Sequence, residues 1–132
     1  MRKRLLSALA LPLLTFAMGE RAVPQNFVPA KIVDKRGEAH EVSALVCDGK
    51  TYFTFEDGSV YLKVPFENLK KLVVEGKKGD KLLVEAYFTN GGRKKLLIDP
   101  DVECVGPTPY GTLDAFLSQI REIDFGKPSN GR

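Results

Sequence analysis

Cys47 and Cys104 carry the strongest covalent chemistry in this sequence, since two thiols in an oxidising compartment favour a disulfide. A bridge between them would close a long loop and add about 4 kcal/mol in the chain-entropy model. Two buried free thiols would instead behave as small apolar side chains and need no partner. The sequence leaves both interpretations open, and we predict a disulfide between Cys47 and Cys104 as one of them.

His40 is the sole histidine of the sequence, which excludes any site that needs two imidazoles. Zinc could use His40 with the two cysteines only if both thiols were reduced, and the C-x-x-C spacing of such sites is missing. None of the serines lies in a G-x-S-x-G motif. We therefore predict no catalytic residue, metal or cofactor, and interpret His40 as a surface histidine or one satisfied by a neighbour.

Three acids alternate near the end of the sequence, at Asp99, Asp101 and Glu103. In an extended strand their carboxylates would share one face, and clustered oxygens of this kind suit a hard cation such as calcium. Pro100 indicates a strand edge, so an acidic edge that resists pairing with another strand is the preferred interpretation.

Basic residues cluster at residues 77–81 (KKGDK) and 93–95 (RKK). They could hold an anionic partner such as a lipid headgroup or a polysaccharide. A strand over residues 81–89 would place the clusters at its opposite ends, roughly 25–30 Å apart. Lysines at hairpin tips usually serve solubility and edge protection, which is the interpretation that we adopt.

Residues 106–111 (GPTPYG) form the most distinctive local segment of the sequence. Pro107 and Pro109 stiffen it, and Tyr110 could project from it as a binding residue fixed at low entropic cost. The interpretation that we prefer is a rigid crossover between strands, with Tyr110 packed at the edge of the core. The loop is nevertheless the best candidate for a contact surface.

The first residues have the layout of a secretory signal: a cationic start at residues 2–4, then an apolar run over residues 5–18. The run is shorter than the roughly 20 residues of a membrane-spanning helix. Small residues place cleavage after Gly19, with Ala17 as the alternative, so residues 1–19 are the predicted signal peptide. An uncleaved anchor is the competing interpretation, and the lack of a nearby cysteine argues against a lipoprotein.

Removal of the signal peptide changes the charge balance. The full sequence has 20 Lys and Arg against 17 Asp and Glu, a net charge of +3. Arg2, Lys3 and Arg4 account for that whole excess, so the remainder carries no net charge. Because nucleic-acid binding needs a net or clustered positive field, we exclude nucleic acid as a partner.

Short β-type runs and turn residues alternate after residue 29. Asp48-Gly49 is a two-residue hairpin signal, and turn signals recur about every 8–12 residues, which is typical of a sandwich or small barrel. The longest run places four apolar residues on one face: Leu82, Val84, Ala86 and Phe88. We predict an all-β fold, a small antiparallel β-sandwich or partly open barrel.

The predicted organisation is an extended lead-in over residues 20–29, a single β domain over residues 30–125 and a flexible tail over residues 126–132. The lead-in contains two prolines and has no clean periodicity. The domain is long enough to bury one core of its own.

Residues 64–72 (VPFENLKKL) align without gaps with residues 115–123 (AFLSQIREI). Both have apolar residues at the third, sixth and ninth positions, and a helix over residues 113–123 is one interpretation of this spacing. Pro65 would not sit inside a helix, so the shared pattern predicts a strand, one helical turn and a strand in two related halves. Each copy follows a β run that ends in cysteine, which predicts roughly equivalent positions for the two cysteines.

The segment of residues 64–72 and the closing residues 119–125 (QIREIDF) resemble segments of uncharacterised exported bacterial β-domain proteins. That resemblance covers the mature chain and implies no known activity. Residues 64–72 are also similar to one turn of photosynthetic-reaction-centre-type barrels, which act as adaptors. This second similarity covers nine residues and implies no site.

These observations predict an exported, non-enzymatic β module that binds a protein or a surface polymer of the cell envelope, in the periplasm or outside the cell. After cleavage it is not expected to be embedded in the membrane. One alternative is a small hydrolase that uses two carboxylates, which need only be close in space. Another is an accessory subunit of an envelope assembly, which an exposed apolar patch or an unpaired edge strand would favour.

Overall fold

A computed structural model describes residues 26–126, and these residues form an all-β domain. The strands are β1 (Ala30–Asp34), β2 (Ala39–Val42), β3 (Val46–Cys47), β4 (Tyr52–Asp57), β5 (Val60–Pro65), β6 (Leu69–Lys78), β7 (Lys81–Phe88), β8 (Arg93–Ile98), β9 (Glu103–Thr108), β10 (Gly111–Phe116) and β11 (Ile120–Phe125). Helical structure in this range is confined to two 3-10 turns, η1 (Phe66–Asn68) and η2 (Leu117–Gln119). The predicted all-β fold with short helical turns is confirmed.

Several predicted segments lie outside the described residues. These are the signal peptide over residues 1–19, residues 20–25 of the lead-in and residues 127–132 of the tail. Between residues 26 and 126, no helix has the length and apolar character that crossing a bilayer requires.

Two antiparallel sheets share one core. The larger has eight strands in the order β2-β1-β11-β6-β7-β8-β4-β5, and the smaller has the order β10-β9-β3. The larger sheet does not close on itself, because β2 and β5 remain its edges. β11, the last strand, lies between β1 and β6, so the two ends of the domain are joined within one sheet. An open, two-sheet antiparallel fold of this kind confirms the predicted fold class.

Alternating apolar residues create the inner face of the larger sheet. In β7, Leu82, Val84 and Ala86 are buried, whereas Leu83 and Glu85 point to the other face and are half-buried. Buried side chains from both sheets form a single cluster. Three phenylalanine rings of this cluster and the half-buried ring of Phe125 pack together at centroid distances between 4.8 and 6.3 Å: Phe53, Phe55, Phe66 and Phe125. Burying a side chain of this size stabilises the fold by about 1.5–3 kcal/mol.

The repeated segment has the same local structure in both copies. Pro65 and Phe116 are extended, a 3-10 turn follows each, and Leu69 and Ile120 return the chain to extended structure. The predicted succession of strand, helical turn and strand is confirmed. The alternative helix over residues 113–123 is wrong.

A β-bulge after each 3-10 turn explains the helix-like spacing of apolar residues. In β11 the register against β1 skips Arg121, which is the extra residue of the bulge. Ile120 and Ile123 therefore both face the core although they are three residues apart, whereas a regular strand alternates its faces. β6 has the equivalent bulge at Lys70, between two buried leucines.

The predicted disulfide is present and joins Cys47 to Cys104, which lie directly opposite each other in β3 and β9. Both cysteines are buried. Beside them the Asp48 amide donates to the Glu103 carbonyl at 2.8 Å, and the Glu103 amide donates to Asp48 Oδ1 at 3.0 Å. The disulfide thus adds a covalent link to the pairing of the two-residue strand β3 with β9.

The cysteines do not occupy equivalent positions in the two repeats, contrary to the prediction. Cys104 lies opposite Ala115 in the second hairpin, where the first hairpin has Phe53 opposite Val64. Cys47 precedes the first hairpin and belongs to β3. The two sulfurs meet because β3 pairs with β9, not because of the repeat.

We expect the double variant Cys47→Ala/Cys104→Ala to lose about 4 kcal/mol of the free energy of unfolding, because its unfolded chain is no longer constrained. The bridge spans a sequence separation of 57, which makes the entropic effect large. Urea denaturation followed by circular dichroism measures the loss. Reductant should destabilise the wild type by a similar amount and leave the double variant unchanged. A loss below about 1 kcal/mol would contradict this account.

Candidate functional site

The predicted contact loop is the tip of the β9–β10 hairpin. Pro109 and Tyr110 form a two-residue turn between Thr108 and Gly111, which pair with each other. The Thr108 hydroxyl accepts a hydrogen bond from the Tyr110 amide at 3.1 Å and donates one to the Gly111 carbonyl at 2.8 Å. Tyr110 is 97% exposed, so the preferred interpretation, in which it packs at the edge of the core, is wrong. The segment is a hairpin turn between neighbouring strands and not a crossover.

An apolar groove of about 590 Å³, here called the proline groove, lies beside this hairpin. Its lining residues come from the lead-in, the end of β2 and the hairpin: Pro29, Glu41, Val42, Ser43, Pro107, Thr108 and Pro109. Three prolines and a valine form the apolar part of this surface. One carboxylate and two hydroxyl groups form the polar part, so the groove suits a mainly apolar ligand.

Gly106 permits the close approach of the hairpin to β2. A Cβ atom added at Gly106 would lie 2.9 Å from the Ala44 carbonyl oxygen and 2.9 Å from Val42 Cβ. The Ser43 amide donates to the Pro107 carbonyl at 3.1 Å and fixes this approach. Any side chain at position 106 would push β9 away from β2 and change the shape of the proline groove.

A second cleft of about 270 Å³, here called the disulfide cleft, has Cys47 in its lining. Charged and aromatic residues surround it: Asp48, Lys50, Tyr52, Glu56, Tyr61, Lys81 and Asp99. Lys81 Nζ lies 3.0 Å from Glu56 Oε2. The hydrogen bond to Glu56, together with the charges of Glu56, Asp99 and Asp80, raises the pKa of Lys81. Two of the charges in the lining of this cleft, Lys81 and Glu56, are therefore already paired with each other.

The three alternating acids do not share a strand face, contrary to the prediction. β8 ends at Ile98 and β9 begins at Glu103, and the residues between them form a turn. The Asp101 amide donates to Asp99 Oδ1 at 3.0 Å within this turn. The sequence pattern was misleading because a turn breaks the alternation of side chains on which it depended.

Two glutamates, each beside an aspartate, have a raised pKa, which bears on the hydrolase alternative. A hydrogen bond to Asp114 and the charge of Asp114 raise the pKa of Glu103. Burial, followed by a hydrogen bond to Asp124, raises the pKa of Glu122. Neither Glu103 nor Glu122 lines the proline groove or the disulfide cleft.

His40 is part of a polar cluster that closes the β1–β2 hairpin. Its Nε2 atom lies 3.0 Å from Asp34 Oδ2. Asp34 Oδ1 accepts hydrogen bonds from the amides of Arg36 at 2.9 Å and Glu38 at 3.0 Å. Asp34, Glu38 and His40 place potential ligand atoms within 4.8 Å of one another. The hydrogen bonds of Asp34 account for this arrangement as a clamp on the turn.

Sequence reasoning found only part of the proline groove. It identified Pro107 and Pro109, together with the neighbouring Tyr110, because prolines beside an aromatic residue are a local signal. It missed Glu41 and Ser43, since nothing near them in the sequence shows that β2 ends beside the hairpin. Knowledge that Ser43 hydrogen-bonds to Pro107 would have shown that the end of β2 lies beside the hairpin.

Comparison with known proteins places the chain in a family. The model of a family described as "Uncharacterised protein" matches residues 25–128, which include both sheets and the proline groove. The chain belongs to this family. It is also 27% identical, over 126 residues, to an uncharacterized protein of Aquifex aeolicus (strain VF5). That alignment covers 93% of this chain and 96% of the relative. The expected resemblance to uncharacterised proteins is confirmed, and no activity comes with it.

We expect Gly106→Ala to lower the free energy of unfolding by about 1–3 kcal/mol, because the new methyl group overpacks the contact with β2. Gly92→Ala is a matched control, since the nearest atom to its added Cβ is the side-chain oxygen of Asn90 at 3.2 Å. Urea denaturation compares the two variants, and the NMR shift of the Ser43 amide reports on the groove. Equal stability of both variants, with an unchanged Ser43 shift, would refute the proposed close approach.

We expect the pKa of Asp34 to lie below its ordinary value of 3.8, because its carboxylate accepts hydrogen bonds from His40 and two backbone amides. A lowered pKa means that the carboxylate stabilises the fold above about pH 4 and that this contribution disappears as the pH falls through the folded-state pKa. An NMR titration of the Asp34 carboxyl carbon measures the shift. His40→Gln should move the midpoint upward, and Lys63→Gln should not; identical midpoints in all three proteins would count against the clamp.

Proposed function

We propose that this chain is an exported, non-enzymatic binding module of the cell envelope, and that the β9–β10 hairpin and the proline groove bind an extended segment of a partner protein. The observation that carries the proposal is the 97% exposure of Tyr110 on a turn fixed by Pro109 and Thr108. A tyrosine has few side-chain torsions to fix, and a rigid turn has little freedom left to lose. Covering Tyr110 therefore gains contact area at a low entropic cost.

The composition of the groove favours a protein over a polysaccharide. Pro29, Pro107 and Pro109 offer rigid apolar surface, which suits the side chains of an extended peptide. A polysaccharide presents many hydroxyl groups, each of which loses water on binding and needs a partner. Glu41 and Ser43, with the Thr108 hydroxyl, are too few polar groups for that purpose.

The charge of Glu41 indicates one property of the partner segment. Glu41 is exposed at the edge strand β2, directly opposite Lys31 in β1. Lys31 instead pairs with Asp124 at 3.7 Å, and within residues 26–126 no cation forms an ion pair with Glu41. A segment with a lysine or arginine next to its apolar residues would complement this carboxylate.

The proposed location rests on the sequence. The cationic start and apolar run of residues 1–19 support export. The disulfide supports the same proposal, because disulfides persist in oxidising compartments and are rare in a reducing cytosol. The partner would then be a protein of the periplasm or of the cell surface.

Photo-crosslinking in the native host tests the proposal. p-Benzoylphenylalanine replaces Tyr110 in the full-length chain, and crosslinked peptides are identified by mass spectrometry. Tyr61 is the matched control position, because it is 70% exposed and lies in β5, an edge strand of the larger sheet. We expect a crosslink to one protein segment from position 110 and not from position 61.

A synthetic peptide of the crosslinked segment completes the test. Tyr110→Ser should weaken its binding roughly 30-fold, the effect of losing about 2 kcal/mol at an interface hot spot. Glu41→Gln should weaken it less, and Tyr61→Ser should leave it unchanged. Any of three results would contradict the proposal. The first is crosslinking to purified cell-wall polysaccharide alone, and the second is equal crosslinking from position 61. The third is a peptide that binds the Tyr110→Ser variant as tightly as it binds the wild type.

A further inference from the structure

A third cleft lies where β6 separates from β11. The two strands pair only at three positions, and Val73 opposite Glu122 is the last pair before they diverge. β6 continues to Lys78 beside β7, with a register shift between Val74 and Gly76. The gap left between the strands has a volume of about 540 Å³. We call it the cationic cleft because of the side chains at its rim.

The rim of the cationic cleft carries three exposed cations, Lys35, Lys77 and Arg121. Among the described residues none of the three has an acidic partner. The one acid in the lining, Glu75, is bound to Lys95 at 3.0 Å. That hydrogen bond raises the pKa of Lys95, so the charge of Glu75 is compensated from outside the cleft.

The guanidinium of Arg121 is held in place before any ligand arrives. Its Nη2 atom donates to the Lys35 carbonyl at 3.1 Å, and its Nη1 atom lies 3.6 Å from where a Cβ on Gly37 would be. A guanidinium has five N–H donors, so donors remain for a phosphate or carboxylate, which it can bind through two parallel hydrogen bonds. A preorganised arginine beside two lysines is a favourable receptor for an anion.

The interior of the cleft is apolar, unlike its rim. Val74, which is half-buried, lines it together with the buried Leu82 and Ile120. The Ser118 hydroxyl is the neutral polar group of the lining. An inorganic anion would satisfy the cations but leave the apolar surface wet, whereas an alkyl chain attached to the anion would cover both.

We propose that the cationic cleft binds an anionic amphiphile, an alkyl phosphate of the kind found in lipids, with its phosphate on Arg121, Lys35 and Lys77 and its chain along Val74. The volume of about 540 Å³ is within the range of small-molecule sites. This inference goes beyond the proposed function, because the cleft shares no lining residue with the proline groove. The module would thus bind a partner protein and an anionic lipid through separate surfaces.

The internal repeat supplies a matched control. Arg121 is the extra residue of the bulge in β11, and Lys70 is its equivalent in β6. Lys70 is exposed and does not line the cationic cleft. Lys70→Gln therefore removes a charge from the same structural position without touching the proposed site.

The test is an NMR titration of the full-length protein with octyl phosphate below its micelle concentration. We expect saturable shifts at Val74, Gly76 and Ser118. Arg121→Gln and Lys77→Gln should each weaken binding about tenfold, the effect of losing one charge-assisted hydrogen bond, whereas Lys70→Gln should change it less than about twofold. Unchanged spectra away from the cleft verify that each variant folds, and Lys77→Gln tests the site without disturbing the Arg121–Lys35 hydrogen bond.

Three results would overturn the proposal. Equal binding of octyl glucoside would mean that the anion is not recognised. Equal affinity for inorganic phosphate would mean that the alkyl chain contributes nothing and that the cleft is a simple anion site. Equal weakening by Lys70→Gln and Arg121→Gln would mean that the protein attracts the amphiphile through its overall charge.

Discussion

The structure depends on one geometric constraint: each 3-10 turn must return its chain to the larger sheet with the apolar face still inward. A bulge residue after each turn meets this constraint, since Ile120 and Ile123 would otherwise face opposite sides of the sheet. The bulge places Arg121 outside the strand pairing, where its guanidinium reaches Lys35. The same device that keeps the core apolar therefore positions the cation at the cleft between β6 and β11.

One contact holds the smaller sheet together, and a second allows its backbone to lie close to the larger sheet. Cys47 and Cys104 hold β3 on β9, and Gly106 lets β9 pass within van der Waals contact of Val42. Neither contact would survive a larger side chain at these positions. The proline groove lies beside the contact between β9 and β2, so its shape depends on how the two sheets pack together. Tyr110 lies at the exposed tip of the hairpin that starts from this contact.

Local chemistry explains what could be predicted from the sequence. Asp48 and Gly49 have φ angles of 52° and 74°, as the predicted tight turn requires, although only Cys47 and Lys50 pair across it. Pro65 was enough to reject a helix in the repeated segment. The order of strands was not predictable, because β11 pairs with β1 and β6, which lie far from it in the sequence and give no local signal of the pairing. The groove and the cationic cleft both depend on that order, so their residues are scattered in the sequence.

Net charge is a poor guide to binding in this chain, since its charges compensate each other unevenly. On the outer face of the larger sheet, cations and acids pair across neighbouring strands, as Lys31 does with Asp124 and Lys71 with Glu122. Such exposed pairs contribute little stability, on the order of 0–1 kcal/mol each. Among the described residues they leave other charges without an ion-pair partner, including those of Lys35, Lys77 and Arg121 at the cationic cleft. Residues 20–132 carry no net charge, yet the fold keeps a local positive field at the cationic cleft and an unpaired carboxylate at Glu41 beside the proline groove.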